Sequence, residues 1–357
     1  MVEYLYRLEE LPARPPPLPD MPRVRGHVDT LLPQSDGTLL VSGWMVLIDQ
    51  PLDQIQVYLD GKCVSILPLD ERTDIATFFP WLPHAAISGF CFPLALSESQ
   101  RRGTARLDLV GCYAGERCGG MSQFVRSDVN RLPSAPEDLM YRVTHERDSH
   151  RFKVGGLKTF GEFLECLARH ADLSRFRRAL DWGCGCGRIA MYFLAIEDGP
   201  TIRGCDIDPR AVRWADEFLQ RGAFDVIEPM PPTPYADAQF DLIVSYSVFT
   251  HLSRDVAHSW LMEMHRLLEP GGLFLATTHG DCALQFAHGS RLASFPSDGI
   301  LDAQADDTLD DIAPNGYYRA TFQSREYTLR QFGKYFKVLD YRECGANNLQ
   351  DIILVQK

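Results

Sequence analysis

The chain has 357 residues, 45% of them hydrophobic, and a formal net charge of −12. That length suggests about two domains and allows a sizeable core. The acidity, spread over both halves, argues against nucleic acid as a main partner, because phosphate binding needs concentrated Lys and Arg.

No apolar run is long enough for a membrane span. Met1-Val2-Glu3-Tyr4-Leu5-Tyr6-Arg7 lacks the basic start and apolar core of a signal peptide. The ten cysteines include no Cys-x-x-Cys pair, so no metal site is expected. All ten are read as reduced, in a cytoplasmic protein.

In chain order, residues 1–22 hold Pro12-Ala13-Arg14-Pro15-Pro16-Pro17-Leu18-Pro19, an extended arm that neither helix nor central strand tolerates. Residues 23–132 read as an all-β accessory domain. Strand-like runs lie at 38–46, 54–59, 62–66, 89–92 and 105–110, and Asp60-Gly61 between two alternating runs signals a tight hairpin. The spacing suits a sandwich.

Residues 133–357 read as a doubly wound α/β domain. Ser134 and Glu137 have the spacing of a capping box that opens a helix running toward Arg147. Residues 151–156, with Gly155-Gly156, read as a loop. Phe160, Phe163, Leu164 and Leu167 then recur at helical spacing. Strands are expected ending at Asp181, over 201–206, within 224–227, over 240–246 and over 273–278. Helices are expected from Asp208-Pro209 and over about 254–268, an acidic irregular insertion over 290–315, and two final strands near 336–341 and 351–355.

The most informative stretch is Asp181-Trp182-Gly183-Cys184-Gly185-Cys186-Gly187-Arg188. An apolar strand ends in an acid and passes into a loop with glycine at every second position. Such a loop lets a ligand touch backbone, and the following helix start favours polar or anionic groups. Asp206, about twenty residues on at a strand end, is placed to accept hydrogen bonds from ribose hydroxyls. That geometry suits either NAD or S-adenosylmethionine.

The ordered set Asp181-x-Gly-x-Gly-x-Gly187, Asp206, Phe240-Asp241-Leu242-Ile243-Val244, Ser245 through Leu252, and Leu267-Leu268-Glu269-Pro270-Gly271-Gly272 resembles the class I S-adenosylmethionine-dependent methyltransferases over about 135–357. The N-terminal part resembles β-sandwich modules of bacterial glycan-related transferases. The resemblance implies Asp181 near the methionine amino group, Gly183, Gly185 and Gly187 beneath the cofactor, and Asp206 with Ile207 at the ribose. It also implies Glu228 and Met230 near the adenine, and Ser245, Tyr246 and Phe152 around the cofactor.

The expected activity is O-methylation of a small molecule, natural product or glycan. His251 and His279 are the candidate bases, and Tyr317 and Tyr318 the candidate walls. An NAD(P)-dependent oxidoreductase and a non-catalytic scaffold stay open as alternatives, as does a homo-oligomer through the β domain. Because the motif set starts after Pro133, a fragment of about 133–357 is expected to fold and bind cofactor if the preceding strands form their own core, and to aggregate if they instead cover an apolar face of the α/β domain.

Overall fold

The chain is described by a computed structural model over residues 24–47, 50–82, 84–102, 104–288 and 295–357. The proline-rich arm expected at 1–22 lies outside these residues. The N-terminal elements are β1 (Val24–Pro33), β2 (Thr38–Leu47), β3 (Gln54–Leu59), β4 (Lys62–Pro68), β5 (Asp70–Glu71), α1 (Thr73–Phe78), β6 (Ile87–Ala95), α2 (Glu98–Arg102), β7 (Ala105–Tyr113) and β8 (Glu116–Val125). Among the described residues they form two four-stranded antiparallel sheets, ordered β1-β2-β6-β5 and β4-β3-β7-β8.

Alternation drives this packing. Every second residue of β3 is buried, and Val28, Val41 and Met45 of one sheet share a core with Ile55, Val57 and Leu109 of the other. Asp60 and Gly61 both have positive φ, 47° and 79°, as a two-residue hairpin turn requires. The expected strand runs are all present; β1, β5 and β8 are additional. Gly119 and Gly120 of β8 both pair with β7 in the ladder.

The second part runs α3 (Glu137–Thr144), α4 (Ser149–Ala168), β9 (Arg178–Trp182), α5 (Ala190–Leu194), β10 (Thr201–Asp206), α6 (Pro209–Phe218), β11 (Gly222–Val226), β12 (Phe240–Ser245), α7 (Arg254–Leu267), β13 (Leu268–Thr278), α8 (Asp281–His288), β14 (Ile300–Ala305), β15 (Arg319–Gln323), α9 (Arg325–Phe332), β16 (Lys337–Ala346) and β17 (Gln350–Gln356). The large sheet is ordered β11-β10-β9-β12-β13-β17-β16. It is parallel as far as β13, and β17 runs antiparallel to both its neighbours. The order reverses between β9 and β12, which leaves a crevice at their carboxyl ends.

Several local expectations are corrected. Residues 151–156 are helix, not loop: Asp148 caps α4 by accepting the Arg151 N–H at 2.8 Å. The glycines there serve close packing, since a Cβ on Gly156 would lie 2.6 Å from the Arg188 carbonyl oxygen. Ser134 makes no capping box; its Oγ meets Ser149 Oγ at 2.8 Å, and Pro136 precedes α3 without a side-chain cap. That helix stops at Thr144, where His145 takes a left-handed φ of 58°. The acidic insertion contains β14, paired antiparallel with β15. Cys282 and Cys344 are joined in a disulfide, so the ten cysteines are not all reduced.

The two parts share one core. It runs from Val28 through Phe124 and Phe160 to Ile189 and Leu242. A Cβ on Gly161 of α4 would lie 2.9 Å from the Phe124 ring. The Leu31 N–H donates to His150 Nε2 at 2.9 Å, Lys158 Nζ donates to the Ser122 carbonyl at 3.0 Å, and Arg106 pairs with Glu165. The self-sufficiency expected of 133–357 if the strands formed their own core therefore meets an α4 face that is covered by β1 and β8.

Candidate functional site

A cleft of about 1060 Å³, counting its open mouth, lies where the sheet order reverses. The Gly loop forms one wall. The N–H groups of Gly183 and Cys184 both donate to the Cys205 carbonyl, at 2.8 and 3.1 Å, which fastens the loop to β10. Gly183, Gly185 and Gly187 all have positive φ, 75°, 52° and 72°. Added Cβ atoms would meet Val248 Cγ2 at 2.2 Å, Val143 Cγ2 at 2.8 Å and Leu219 Cδ1 at 2.2 Å respectively. The first two glycines line the cleft; the third packs against α6.

Two acids, Asp181 and Asp206, line the cleft together. Asp206 accepts the Gly185 N–H through Oδ2 at 2.8 Å and the Asp208 N–H through Oδ1 at 2.9 Å. Burial nevertheless raises its carboxyl above the ordinary range. Asp181 is 4% exposed. Burial first, and then the charge of Asp206, push its carboxyl up to about 7. Two buried, mutually repelling carboxyls make a site that a cationic ligand would stabilise.

The opposite wall carries His251. Its Nδ1 lies 2.9 Å from the Arg319 carbonyl oxygen, which can only accept, so the proton sits on Nδ1 and the neutral ring keeps its lone pair on Nε2. Burial holds this imidazole down at about 4, so it is neutral near pH 7. Tyr318 stacks on the ring with centroids 4.0 Å apart. Tyr317 donates its hydroxyl to the Pro229 carbonyl, which also accepts from Trp260 Nε1. From α3, Arg142 bridges Asp208 and Asp311, at 3.2 and 2.8 Å, and ties the insertion over the cleft.

A family model described as a methyltransferase domain matches residues 180–276. A methyltransferase of Synechocystis sp., itself uncharacterized, is 29% identical over 122 residues, covering 34% of this chain and 54% of that protein. A candidate methyltransferase of Encephalitozoon cuniculi is 31% identical over 168 residues, covering 45% of this chain and 72% of the relative. The chain belongs to the class I S-adenosylmethionine-dependent methyltransferases. A solved S-adenosylmethionine-dependent methyltransferase of Methanosarcina mazei aligns at 20% identity with a TM-score of 0.40, over 53% of this chain and 95% of that one. Against the Synechocystis relative the match spans about half of that protein's length.

S-adenosylmethionine is thus the cofactor, and the nicotinamide alternative is set aside. The methyltransferase brings Asp181, Gly183, Gly185, Asp206, Ile207, Tyr246 and His251 into one cleft. Six other expected residues lie outside its lining. Glu228 and Met230 are exposed. Phe152 is buried behind Arg188, whose guanidinium lies 5.7 Å from its ring. Ser245 is buried at the end of β12, and Gly187 packs on Leu219. His279 is half-buried, stacked on Phe322 at 5.1 Å, with desolvation and then His251 lowering its imidazole to about 3.

Other lining residues went unread: Arg142, Val143, Arg188, Ile227, Ser247, Val248, Trp260 and Leu309. Arg188, directly after the loop, and Ser247 and Val248, inside the Ser245–Leu252 motif, had a signal nearby. Ser247 has a φ of 60°, a strain that no residue pattern announces.

Proposed function

We propose that the chain O-methylates a small molecule or glycan in the cleft between the Gly loop and His251, as a cytoplasmic enzyme. The observation that carries this reading is the pairing of a cation-seeking acid site, Asp181 and Asp206, with a neutral imidazole across one cavity. In this reading Asp181 takes the ammonium end of the cofactor and Asp206 its ribose hydroxyls. The backbone of Gly183 and Gly185 lies against it, and Ile207 with Ile227 flanks the base.

When bound, S-adenosylmethionine supplies an electrophilic methyl group. The chain's own part is to hold an acceptor hydroxyl in line, exclude water beneath Tyr317 and Tyr318, and take the hydroxyl proton at His251 Nε2. Incubating the chain with methyl-labelled cofactor and cell extract, followed by mass spectrometry, tests the reading. A labelled methyl ether in a small molecule or glycan supports it. Label found only on nitrogen or carbon overturns it.

A further inference from the structure

The floor of the cleft beneath Tyr246 carries positive charge that its surroundings do not neutralise. Arg188 lines the cleft and is 7% exposed. Among the described residues its one hydrogen bond is a long 3.4 Å contact to Thr159 Oγ1. Its Nε has no partner, and no carboxylate pairs with it. Its guanidinium lies 5.3 Å from the centroid of the Tyr246 ring. An unmatched buried guanidinium is costly in a folded chain unless a ligand anion matches it.

The N-terminal sheet deepens the imbalance. Arg25 of β1 donates Nη1 to the Asn347 carbonyl at 2.6 Å, while its Nε is shut off from solvent without a partner. His27 is near as well, its Nε2 3.6 Å from a point 3.2 Å from Arg188 Nη2, but burial lowers its imidazole and it adds no charge near pH 7. The acids of this region are already engaged. Glu162 holds Lys158 Nζ at 2.6 Å and the Asn347 N–H at 2.9 Å, and Asp29 holds Arg72 at 2.9 Å. In a chain of net charge −12, this is a local excess of cations.

Tyr246 supplies a second donor. Asn347, held in a left-handed turn at φ 51°, donates Nδ2 to the Tyr246 hydroxyl oxygen at 2.7 Å. With that oxygen already accepting, the phenolic proton is free to be donated into the cleft. A guanidinium over the Tyr246 ring and a phenolic donor of the same residue, both lining one cleft, are donors that suit a carboxylate.

We propose that Arg188 and Tyr246 bind a carboxylate of the methyl acceptor, with Arg25 of the N-terminal sheet supplying positive charge behind them, so that the acceptor is a hydroxylated acid. This rests on the reading that the acceptor lies beside His251. It moves Tyr246 from the cofactor to the acceptor and makes the N-terminal sheet part of the site.

Calorimetry on the full chain saturated with S-adenosylhomocysteine tests this with matched probes: benzoate and benzamide, 4-hydroxybenzoate and 4-hydroxybenzamide, 3-hydroxybutyrate and its amide. At least one acid should bind tenfold or more tightly than its amide. Arg188→Gln and Tyr246→Phe should each erase most of that preference, Arg188→Lys should restore part of it, and Arg25→Gln should reduce it. S-adenosylhomocysteine affinity should change less than threefold in all four variants. No acid preferred over its amide in the unaltered chain overturns the proposal, whether or not a variant folds. So does an Arg188→Gln chain that loses S-adenosylhomocysteine affinity tenfold while keeping acid binding, since the anion would then be the cofactor's own. Acids that bind but receive no labelled methyl group would leave the carboxylate site standing and overturn only the hydroxyl-acceptor reading.

Discussion

The Asp206 carboxylate accepts the Gly185 backbone N–H at 2.8 Å, across 21 residues of sequence. One side chain at the end of β10 therefore both shapes the Gly loop and lines the cleft. Asp206→Ala should weaken S-adenosylhomocysteine binding by about 1.5–3 kcal/mol, roughly tenfold to 150-fold, through loss of a charged acceptor. Calorimetry on a mutant with a native circular dichroism spectrum checks it. Unchanged affinity would move Asp206 off the ribose.

Asp181 gives the affinity a pH dependence of definite sign. Its carboxyl is held at about 7 by burial and then by Asp206, so below that pH the free chain carries a proton there. A ligand ammonium needs the carboxylate, and binding must expel that proton. Affinity for S-adenosylhomocysteine should approach its plateau near pH 8, be about half of it near pH 7, and fall by up to roughly tenfold per unit below that. Asp181→Asn should bind weakly and without this slope. A wild-type affinity that is flat between pH 5.5 and 8 would contradict the assignment.

The three loop glycines should separate into two classes. A side chain at Gly187 would lie 2.2 Å from Leu219 Cδ1, away from the cleft. Gly187→Ala should cost about 1–3 kcal/mol of stability through crowding and left-handed backbone strain, lowering the melting temperature by several degrees. Cofactor affinity in the folded fraction should survive. Gly185→Val should instead abolish binding, because its branched side chain occupies the cleft wall. Thermal melts and calorimetry on both variants distinguish these outcomes.

For a truncated chain, the shared core favours the second of the two expected outcomes. Removing residues 23–132 would uncover the α4 face that meets Phe124 and strand Glu165 without Arg106. A fragment of 133–357 should aggregate or elute as large species in size-exclusion chromatography. A monomeric fragment with intact S-adenosylhomocysteine affinity would mean that the α/β part is self-sufficient after all.

The legible features were those whose signal is local. Asp181, Gly183, Gly185 and Asp206 announce themselves because a strand, a tight turn and a strand end each constrain a short stretch. Asp60-Gly61 did the same for its hairpin. Gly155-Gly156 misled because glycine marks both turns and close packing, and only the position of Arg188 tells which applies. His251 and His279 follow adjacent parallel strands and look equivalent in sequence. β15 sets them apart: it supplies the Arg319 carbonyl to His251, which lines the cleft, and stacks Phe322 on His279, which does not. Asn347 reaches Tyr246 across 101 residues, and Cys282 reaches Cys344 across 62, separations that no local pattern encodes.

The central claim, that this cleft moves a methyl group with His251 as the proton acceptor, is tested most directly by single-turnover transfer from methyl-labelled S-adenosylmethionine in the unaltered chain and in His251→Gln. The glutamine variant should keep S-adenosylhomocysteine affinity within twofold and lose roughly 10²–10⁴-fold in rate. With cofactor kept saturating at every pH, so that the Asp181 effect on affinity does not enter, the unaltered rate should hold level through pH 6.5 and fall only toward about 4, where burial has placed this imidazole. Transfer at the same rate in both chains, or an acid limb centred near 6.5, would contradict it.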